Sequence, residues 1–346
     1  MRTLRDFNFN KKKVLVRCDF NIPIDEKGNI LDDFRIEQTI PTIKYLVKRG
    51  AKIILMSHLG KPKGKFVRSL TLNKIKLRLK KYLNLPVIKL NNCVGREVEV
   101  AVDEMRPKDI ILLENLRFHK EEERGDLNFA KKIAKLGDIF INEAFSACHR
   151  FHASITGIPK YLSHGSGLLL EKEIKNLKKI TRKPILPLIA IFGGKEGDFK
   201  VINKISKIAT SILIGYLIKK QIEEEKVILK CPKKIIFPVD GIEYNNNLDI
   251  GPKTLKIFKK EISKAKTIFW SGPLGKIEEK RYCKGTKDVA RTIIKSGAFS
   301  VVGGGETVEF IRKLNLFDKF SHISTGGSAM LSYLAGDKLP GIEALK

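Results

Sequence analysis

The segment Val14-Leu-Val-Arg-Cys-Asp-Phe-Asn-Ile-Pro-Ile-Asp25 joins an apolar run to a polar cluster, and a second such join follows at Met56-Ser-His-Leu-Gly-Lys-Pro62. Between them, Asp32-Asp-Phe-Arg-Ile36 places an arginine at the start of a helical segment. Apolar runs that alternate with helical segments are typical of open parallel sheets, which bind ligands outside the carboxyl ends of their strands. We therefore expect one edge of a sheet to gather Asp19, Asn21, Arg35, His58 and Lys61.

The same alternation continues along the chain and predicts two doubly wound parallel-sheet halves of an α/β protein. Predicted strands in the first half cover 14–18, 52–56, 87–90, 109–113 and 138–142. Predicted strands in the second half cover 188–192, 211–214, 235–239, 267–270, 299–302 and 322–324. With 346 residues, the chain is long enough for two domains. We expect an N-terminal domain over 1–164, an interdomain helix over 165–180 and a C-terminal domain over 181–325, with a ligand-binding hinge cleft between the domains.

The segment 35–50 illustrates the helical pattern. Its apolar residues Ile36, Ile40, Ile43, Leu46 and Val47 share one face of a helix, and a glycine at position 50 supplies a stop signal.

The formal net charge of +29 and the isoelectric point near 9.8 raise the possibility of nucleic-acid binding, because dense lysine and arginine attract phosphates. Against that function, the cations are spread along the whole chain and are not interleaved with aromatic residues. Mutational bias toward A/T-rich codons is an alternative origin of the charge, and a positive field also speeds the arrival of anionic metabolites. We expect no dedicated nucleic-acid partner.

The cysteines and the apolar runs indicate in which cellular compartment the protein resides. The five cysteines are scattered and form no C-x-x-C pair, which favours buried thiols in a reducing compartment. No apolar run approaches the roughly 18 residues that cross a bilayer, and the first residues resemble no signal peptide. We expect a cytoplasmic protein without a membrane partner.

Five cations follow predicted strands in the first half, namely Arg35, His58, Lys61, Arg117 and Arg150. Any one of them alone is more simply explained as a surface side chain or part of a structural ion pair. Because the fork of an arginine suits carboxylate and phosphate groups, several convergent cations indicate a pocket for a small polyanion.

Glycine-rich turns follow strands in the second half, at Gly193-Gly194, Trp270-Ser-Gly-Pro-Leu-Gly275, Gly303-Gly-Gly-Glu-Thr307 and Ser324-Thr-Gly-Gly-Ser328. Backbone N–H groups at such turns, and at the helix starts after them, bind phosphates. A carboxylate beside them, such as that of Glu306, can hold Mg²⁺. Each turn alone is equally well explained by sterics, but their joint order indicates a nucleotide site.

These motifs, in this order from Val14 to Lys346, resemble those of the phosphoglycerate kinase family. The family transfers the acyl phosphate of 1,3-bisphosphoglycerate reversibly to Mg-ADP, giving ATP and 3-phosphoglycerate in glycolysis. The resemblance implies two Rossmann-like domains, a monomer, and a tail over 326–346 that returns to the N-terminal domain. It also implies 3-phosphoglycerate on the N-terminal domain, the nucleotide on the C-terminal domain, and Mg²⁺ with ADP or ATP as the cofactor and the second substrate.

The resemblance assigns roles to particular residues. Asp19 and Asn21 would hold the glycerate hydroxyl and carboxylate region, and Arg35 would bridge the carboxylate and the transferring phosphoryl group. His58, Lys61, Arg117 and Arg150 would hold the 3-phosphate and the carboxylate. The substrate-binding set also includes Phe20, Leu59 and Gly60. On the nucleotide side, Lys200 would contact the transferring phosphoryl group, Glu278 the ribose and Glu306 the metal. The remaining nucleotide-binding set is Gly193, Gly194, Pro273, Gly303, Gly304, Gly305 and Thr307.

The chain departs from the family pattern at several of these positions. Lys61 replaces an arginine, and the loss of one charge-assisted hydrogen bond costs about 1.5–3 kcal/mol, which predicts a glycerate affinity weaker by about ten-fold or more. Glu306 replaces Asp, Ser271 replaces Asn, Ser328 replaces Gly and Glu196 replaces Lys, although Lys195 is adjacent. The segment between Asp240 and Gly251 is also short. Two alternatives follow: a catalytically weakened relative with a binding role, or a basic nucleic-acid-binding protein on this scaffold.

Overall fold

The structure, a computed structural model, describes residues 1–242 and 248–346, so part of the short segment before Gly251 lies outside the described residues. Two compact units are present. The N-terminal unit contains Met1–Lys172 together with Lys338–Lys346, and the C-terminal unit contains Glu173–Asp337.

The N-terminal unit is built on a six-stranded parallel sheet in the order β3-β4-β2-β1-β5-β6. Its strands are β1 (Lys13–Arg17), β2 (Lys52–Met56), β3 (Ile88–Lys89), β4 (Ile110–Leu112), β5 (Ile139–Asn142) and β6 (Ser163–Ser166). Its helices are α1 (Phe34–Lys48), α2 (Asn73–Leu83), α3 (Arg96–Asp103), α4 (Lys120–Arg124) and α5 (Leu127–Ala134). A π-helical turn covers Ala153–Gly157. Short 3₁₀ turns cover Leu4–Asp6, Arg68–Leu70, Leu116–Phe118, Phe145–Ala147 and Ile158–Lys160.

The helix α6 (Leu168–Thr181) begins in the N-terminal unit and ends in the C-terminal unit. The C-terminal unit has a second six-stranded parallel sheet in the order β14-β13-β12-β7-β8-β9, and a two-stranded antiparallel ribbon of β10 and β11. Its strands are β7 (Leu188–Phe192), β8 (Ser211–Ile214), β9 (Ile235–Ile236), β10 (Gly241–Ile242), β11 (Asp249–Ile250), β12 (Thr267–Ser271), β13 (Phe299–Gly303) and β14 (His322–Ile323). Its helices are α7 (Phe199–Ile205), α8 (Tyr216–Glu224), α9 (Pro252–Lys264), α10 (Lys284–Ser296), α11 (Gly305–Lys313) and α12 (Ser328–Ala335). Its 3₁₀ turns cover Pro232–Lys234, Lys280–Tyr282 and Phe317–Lys319.

The chain ends back in the N-terminal unit. There, helix α13 (Pro340–Glu343) places Gly341 N 2.8 Å from the carbonyl oxygen of Cys148, and Leu345 is buried. The α/β class with two parallel sheets, expected from the alternation of segments, is confirmed.

The predicted helix 35–50 is α1, and its apolar face packs into the core through Ile36, Ile40, Ile43 and Leu46. Other segments differ from expectation. The strand expected over 235–239 ends at Ile236, because Pro238 has no N–H for a ladder and Val239 is 63 % exposed.

The strand registers explain where functional side chains gather. Arg17, at the end of β1, pairs with Met56 of β2 and with Asn142 of β5. In the second sheet, Ser271 pairs with both Phe192 and Gly303. The carboxyl ends of neighbouring strands therefore coincide, and each sheet has one edge at which the following loops meet.

Candidate active site

The loops after β1 and β5 form a charged centre in the N-terminal unit. Arg35 Nη1, on the first turn of α1, donates to Asp19 Oδ2 at 2.7 Å and to the carbonyl oxygen of Asn21 at 2.9 Å. Ser146 also donates its hydroxyl to Asp19. The structure thus brings together three of the predicted residues, Asp19, Asn21 and Arg35.

The carboxylate of Asp19 is almost fully buried, and burial alone would raise its pKa. The positive charge of Arg35 and hydrogen bonds from Ser146 and Asn21 outweigh burial and lower the pKa of Asp19 to about 2. Asp19 is therefore ionised at physiological pH and balances the charge of Arg35.

The loop after β2 is held against this centre by its backbone. Gly60 N donates to Asn21 Oδ1 at 2.8 Å, and Arg117 Nη1 donates to the carbonyl oxygen of Gly60 at 2.7 Å. Asn115 accepts from Leu59 N at 3.2 Å and donates to Leu59 O at 2.8 Å. The positions of His58, Leu59 and Gly60 are thereby fixed relative to Asn21 and Arg117.

Arg117 is the clearest sign of an anionic ligand. Its side chain is 2 % exposed, and Nη2 has no partner among the described residues. Nε lies 3.1 Å from Glu123 Oε1, without the alignment of a hydrogen bond. Burial lowers the pKa of this guanidinium, opposed by Glu123 and assisted by the nearby charges of Arg150 and Arg17. A buried cation with unsatisfied donors and further cations beside it fits a carboxylate or phosphate.

The histidines near these arginines are neutral at physiological pH. Burial, followed by the charges of Arg17, Arg117 and Arg150, lowers the pKa of His152 to about 3. Burial likewise lowers the pKa of His149 and of His58.

The remaining predicted residues of the N-terminal unit differ in how deeply their side chains are buried. Lys61 is exposed on the loop after Gly60, and Arg150 is half-buried. The Phe20 side chain lies in the hydrophobic core and is fully buried, so only its backbone is at the edge of the sheet.

The glycine-rich turns of the C-terminal unit pack backbone against backbone. Gly193 N donates to Ser271 O at 2.9 Å, and Gly194 N donates to Pro273 O at 2.7 Å. A Cβ atom on Gly272, whose φ is +89°, would lie 1.9 Å from the carbonyl oxygen of Gly193. Side chains are excluded here, so the turns after β7 and β12 lie in direct backbone contact and the amides of Gly193 and Gly194 are already paired.

A cavity of about 330 Å³ opens beside these turns. It contains four of the predicted residues, Gly194, Pro273, Glu278 and Glu306. Its other lining residues are Lys195, Gly215, Tyr216, Leu217, Leu248, Leu274, Gly275 and Lys276.

Helix α11 begins next to this cavity. Glu306 is exposed in its first turn, and the hydroxyl of Thr307 is buried without a hydrogen-bond partner in the described residues. Gly303 ends strand β13, while Gly304 and Gly305 open the helix. Unpaired N–H groups of a first helical turn, together with a free hydroxyl, suit a phosphate.

Lys200 lies outside the lining of the cavity. It is an exposed residue of the first turn of α7, and its Nζ donates to Asp337 Oδ1 at 2.6 Å. An exposed ion pair of this kind is weak and easily exchanged for another anion.

Several residues with structural roles at the site were not anticipated. Ser146 and Asn115 orient the loops of the N-terminal unit, and Tyr216 and Leu217 line the cavity of the C-terminal unit. Asn115 could have been found as a polar residue directly after an apolar strand, whereas Tyr216 gives no local signal.

Comparison with known proteins agrees with this arrangement. The sequence model described as phosphoglycerate kinase matches residues 4–222 and 218–337. The phosphoglycerate kinase of Coprothermobacter proteolyticus is 40% identical over 387 residues, covering 100% of this chain and 98% of that protein. The phosphoglycerate kinase of Dictyoglomus turgidum is 41% identical over 388 residues, covering 99% of this chain and 98% of that protein.

Solved structures lead to the same family. The phosphoglycerate kinase of Pyrococcus horikoshii OT3 superposes with a TM-score of 0.90 at 30% identity, over 100% of this chain and 98% of that one. The enzyme of Coxiella burnetii superposes with a TM-score of 0.84 at 30% identity, over 99% and 98% of the two chains. With relatives this similar over its full length, the chain belongs to the phosphoglycerate kinase family, whose members are phosphotransferases with a carboxyl group as acceptor.

Proposed function

We propose that this chain transfers the acyl phosphate of 1,3-bisphosphoglycerate to Mg-ADP, giving ATP and 3-phosphoglycerate, and catalyses the reverse reaction. The bond between phosphorus and the acyl oxygen breaks, and a bond forms between phosphorus and a β-phosphate oxygen of ADP. The observation that carries the proposal is the buried Arg117 guanidinium with its unpartnered donor, beside the Asp19–Arg35 centre. A cytoplasmic location and a monomeric state are part of the proposal and stay predictions.

The N-terminal unit is proposed to bind the three-carbon substrate. Asp19 and Asn21 would orient its hydroxyl and carboxylate, and His58, Lys61, Arg117 and Arg150 would hold the 3-phosphate and the carboxylate. Arg35 uses one nitrogen, Nη1, for its bonds to Asp19 and Asn21, which leaves other donors for the carboxylate and the transferring phosphoryl group. Phe20, Leu59 and Gly60 contribute their backbone.

The C-terminal unit is proposed to bind the nucleotide. The cavity beside Gly194 and Pro273 would take the base and ribose, with Glu278 on the ribose hydroxyls. The amides of Gly303–Thr307 would hold the phosphates, whereas Gly193 N is already bonded to Ser271 O, so Gly193 would contribute only its lack of a side chain. Lys200 would leave Asp337 and bind the transferring phosphoryl group, since one anion replaces another in an exposed pair.

The residues present fit a magnesium ion that arrives with the nucleotide. Mg²⁺ in such sites is held by one or two carboxylates plus substrate phosphates. Glu306 is exposed on the first turn of α11 and lines the cavity together with Glu278, and the described residues contain no group of three or more His, Cys, Asp or Glu that could hold a metal. Glu306 would hold the ion, which when bound neutralises phosphate charge.

Stabilisation of charge is the catalytic principle. Phosphoryl transfer spreads negative charge over the equatorial oxygens of the moving group. Arg35, Lys200 and the backbone amides at the start of α11 would supply positive partners for that charge. Proton transfer by a side chain is not required, in agreement with histidines whose pKa values are lowered.

A coupled assay tests the proposal, with 1,3-bisphosphoglycerate, ADP and Mg²⁺ and the release of ATP as the readout. Arg35→Ala and Lys200→Ala should each lower kcat by about 10²-fold or more, because each removes a partner of the transition-state charge. Lys207→Ala, an exposed lysine two residues after α7, is the matched control and should retain wild-type turnover. No turnover by wild-type protein at micromolar concentration, or full kcat in Arg35→Ala, would contradict the proposal.

A further inference from the structure

Arg17, the last residue of β1, is the centre of a buried polar network beside His58 and Arg117. Arg17 is fully buried, an unusual environment for a guanidinium. Its Nε donates to Ser154 Oγ at 2.7 Å, Nη1 donates to the carbonyl oxygen of Cys18, and Nη2 lies 3.2 Å from His58 Nδ1. All three nitrogens of the guanidinium are therefore engaged, and the plane of the group is fixed.

A buried carboxylate anchors the far side of this network. Glu122, in α4, is fully buried and accepts from Ser154 N at 2.9 Å and from Ser154 Oγ at 2.6 Å. Its Oε1 lies 3.9 Å from Arg17 Nη2 and compensates the buried positive charge. The end of β1, helix α4 and the π-helical turn are thus joined by one ionic network.

The chemistry of this network determines which nitrogen of His58 carries a proton. A guanidinium has only donors, so Nδ1 of His58 must be the acceptor in its contact with Arg17. The charged and titratable groups that face the ring are Asp19, Arg17, Arg117 and His152. Burial and the two arginines disfavour an imidazolium and outweigh the carboxylate of Asp19. A neutral ring with an unprotonated Nδ1 has its proton on Nε2.

We propose that Arg17 is a positioning residue that holds His58 as the neutral Nε2–H tautomer, so that the ring offers an N–H donor to the phosphate of the three-carbon substrate. The His58 ring is 6 % exposed, and its Nε2 has no partner in the part of the chain that the structure describes. In the opposite tautomer Nε2 would present a lone pair, which repels a phosphate oxygen. This inference rests on the proposed function only for the identity of the phosphate.

The first experiment needs no variant. Long-range ¹H–¹⁵N spectra of protein labelled with [¹⁵N]histidine report the tautomer of each of the six rings, and comparison with His58→Asn assigns the signals of His58. We expect the Nε2–H tautomer, unchanged from pH 6 to pH 8. An imidazolium or an Nδ1–H ring at His58 would overturn the proposal whether or not the enzyme turns over.

A second experiment removes the positioning group. The double variant Arg17→Gln/Glu122→Gln deletes the cation together with its counter-charge, so that no unpaired buried charge is left. We expect His58 in this variant to show a mixture of tautomers, and its KM for 3-phosphoglycerate to rise about ten-fold, a loss equal to one hydrogen bond to a charged group.

Ser154→Ala is the matched control, since it removes one bond of the same guanidinium and leaves the contact with His58. It should keep the Nε2–H tautomer. An unchanged tautomer in the double variant would refute the positioning role. If the tautomer changes in the double variant but the wild-type protein shows no kinase turnover, the inference about Arg17 is retained and the proposed function is rejected.

Discussion

Glu143 provides the sharpest test of the energetics of this structure. It follows β5, is fully buried, and accepts hydrogen bonds from Thr42 Oγ1 and, at 3.0 Å, from Leu169 N at the start of α6. Its other oxygen, Oε2, has no partner in the described residues and faces Gly167, where a Cβ atom would lie 1.8 Å away. Burial raises the pKa of Glu143 to about 8, although the hydrogen bonds to Oε1 oppose that shift.

The sign of the pH effect follows from proton binding. The pKa of Glu143 is 4.5 ordinarily and about 8 in the folded protein, so between these values the folded state binds one more proton than the unfolded state. The stabilisation is complete below the lower value and is lost as the pH rises through the higher one. A difference of about 3.5 pKa units corresponds to about 5 kcal/mol in total, and to about 2 kcal/mol between pH 6 and pH 8.

Glu143→Gln removes the titration but keeps an acceptor for Leu169 N. The variant should have about the stability of wild type at pH 5, because the protonated carboxyl of wild type carries its O–H on the unpartnered Oε2 and the amide replaces that donor with another. Relative to wild type, its free energy of unfolding should then rise by about 2 kcal/mol between pH 6 and pH 8.

The measurement is equilibrium urea unfolding at each pH, with amide exchange of peptides from β1 and β5 to isolate the N-terminal unit. Other titrating groups are common to both proteins and cancel in the difference. Glu97→Gln is the control, since this carboxylate is exposed in the first turn of α3 and should leave the difference from wild type independent of pH. A wild-type-minus-variant difference that stays constant from pH 6 to pH 8 would refute the reasoning.

Three further predictions concern other parts of the chain. Lys61→Arg should lower KM for 3-phosphoglycerate by about ten-fold in the coupled assay, because the bidentate fork is restored; an unchanged KM would reject a contact between this residue and the substrate. Gly272→Ala should weaken ADP binding in calorimetry, because its Cβ would meet a carbonyl oxygen at 1.9 Å, whereas Gly297→Ala, with φ of +65° and open space, should not. Glu173→Ala should lower the free energy of unfolding of the C-terminal unit by about 3–5 kcal/mol, since three buried donors, His322 Nε2, Thr325 N and Thr325 Oγ1, lose their acceptor; fluorescence of the single tryptophan during urea unfolding measures the loss.

Local sequence predicts the central strands of both sheets and the edge strands β3, β9 and β14, but it misses the edge strand β6. Strands β1, β2, β7 and β8 are apolar runs flanked by helical segments, and their positions were predicted within a residue or two. Strand β6 was missed because its sequence, Ser163-His-Gly-Ser166, is polar; the strand lies at the edge of the sheet beside β5. The ribbon of β10 and β11 was missed because each strand has two residues, too few for a periodic pattern.

The residues of the candidate site also divide into those that local sequence predicts and those that it does not. Residues that directly follow strands, such as Asp19 and Gly60, are predictable because parallel strands end at one edge of the sheet. The network of Arg17, Glu122 and Ser154 is not predictable in this way, since its members come from segments that are far apart in the chain and share no motif. The ion pair of Lys200 with Asp337 is also not predictable from local sequence, because the two residues are 137 positions apart.

The pairing of cations with carboxylates explains how so positive a cluster remains folded before any anion arrives. Arg17 is compensated by Glu122, Arg35 by Asp19 and Arg117 by Glu123, so three of the cations in the resting site have a carboxylate partner. Asp19 stays ionised at physiological pH, because its pKa lies near 2. Asp19 therefore remains paired with Arg35, and in the proposed function the substrate anion would bind the donors that these pairs leave open, chiefly on Arg117 and Arg35. The carboxylates would thus determine which donors are free for the anion, while they also compensate the cations of the empty site.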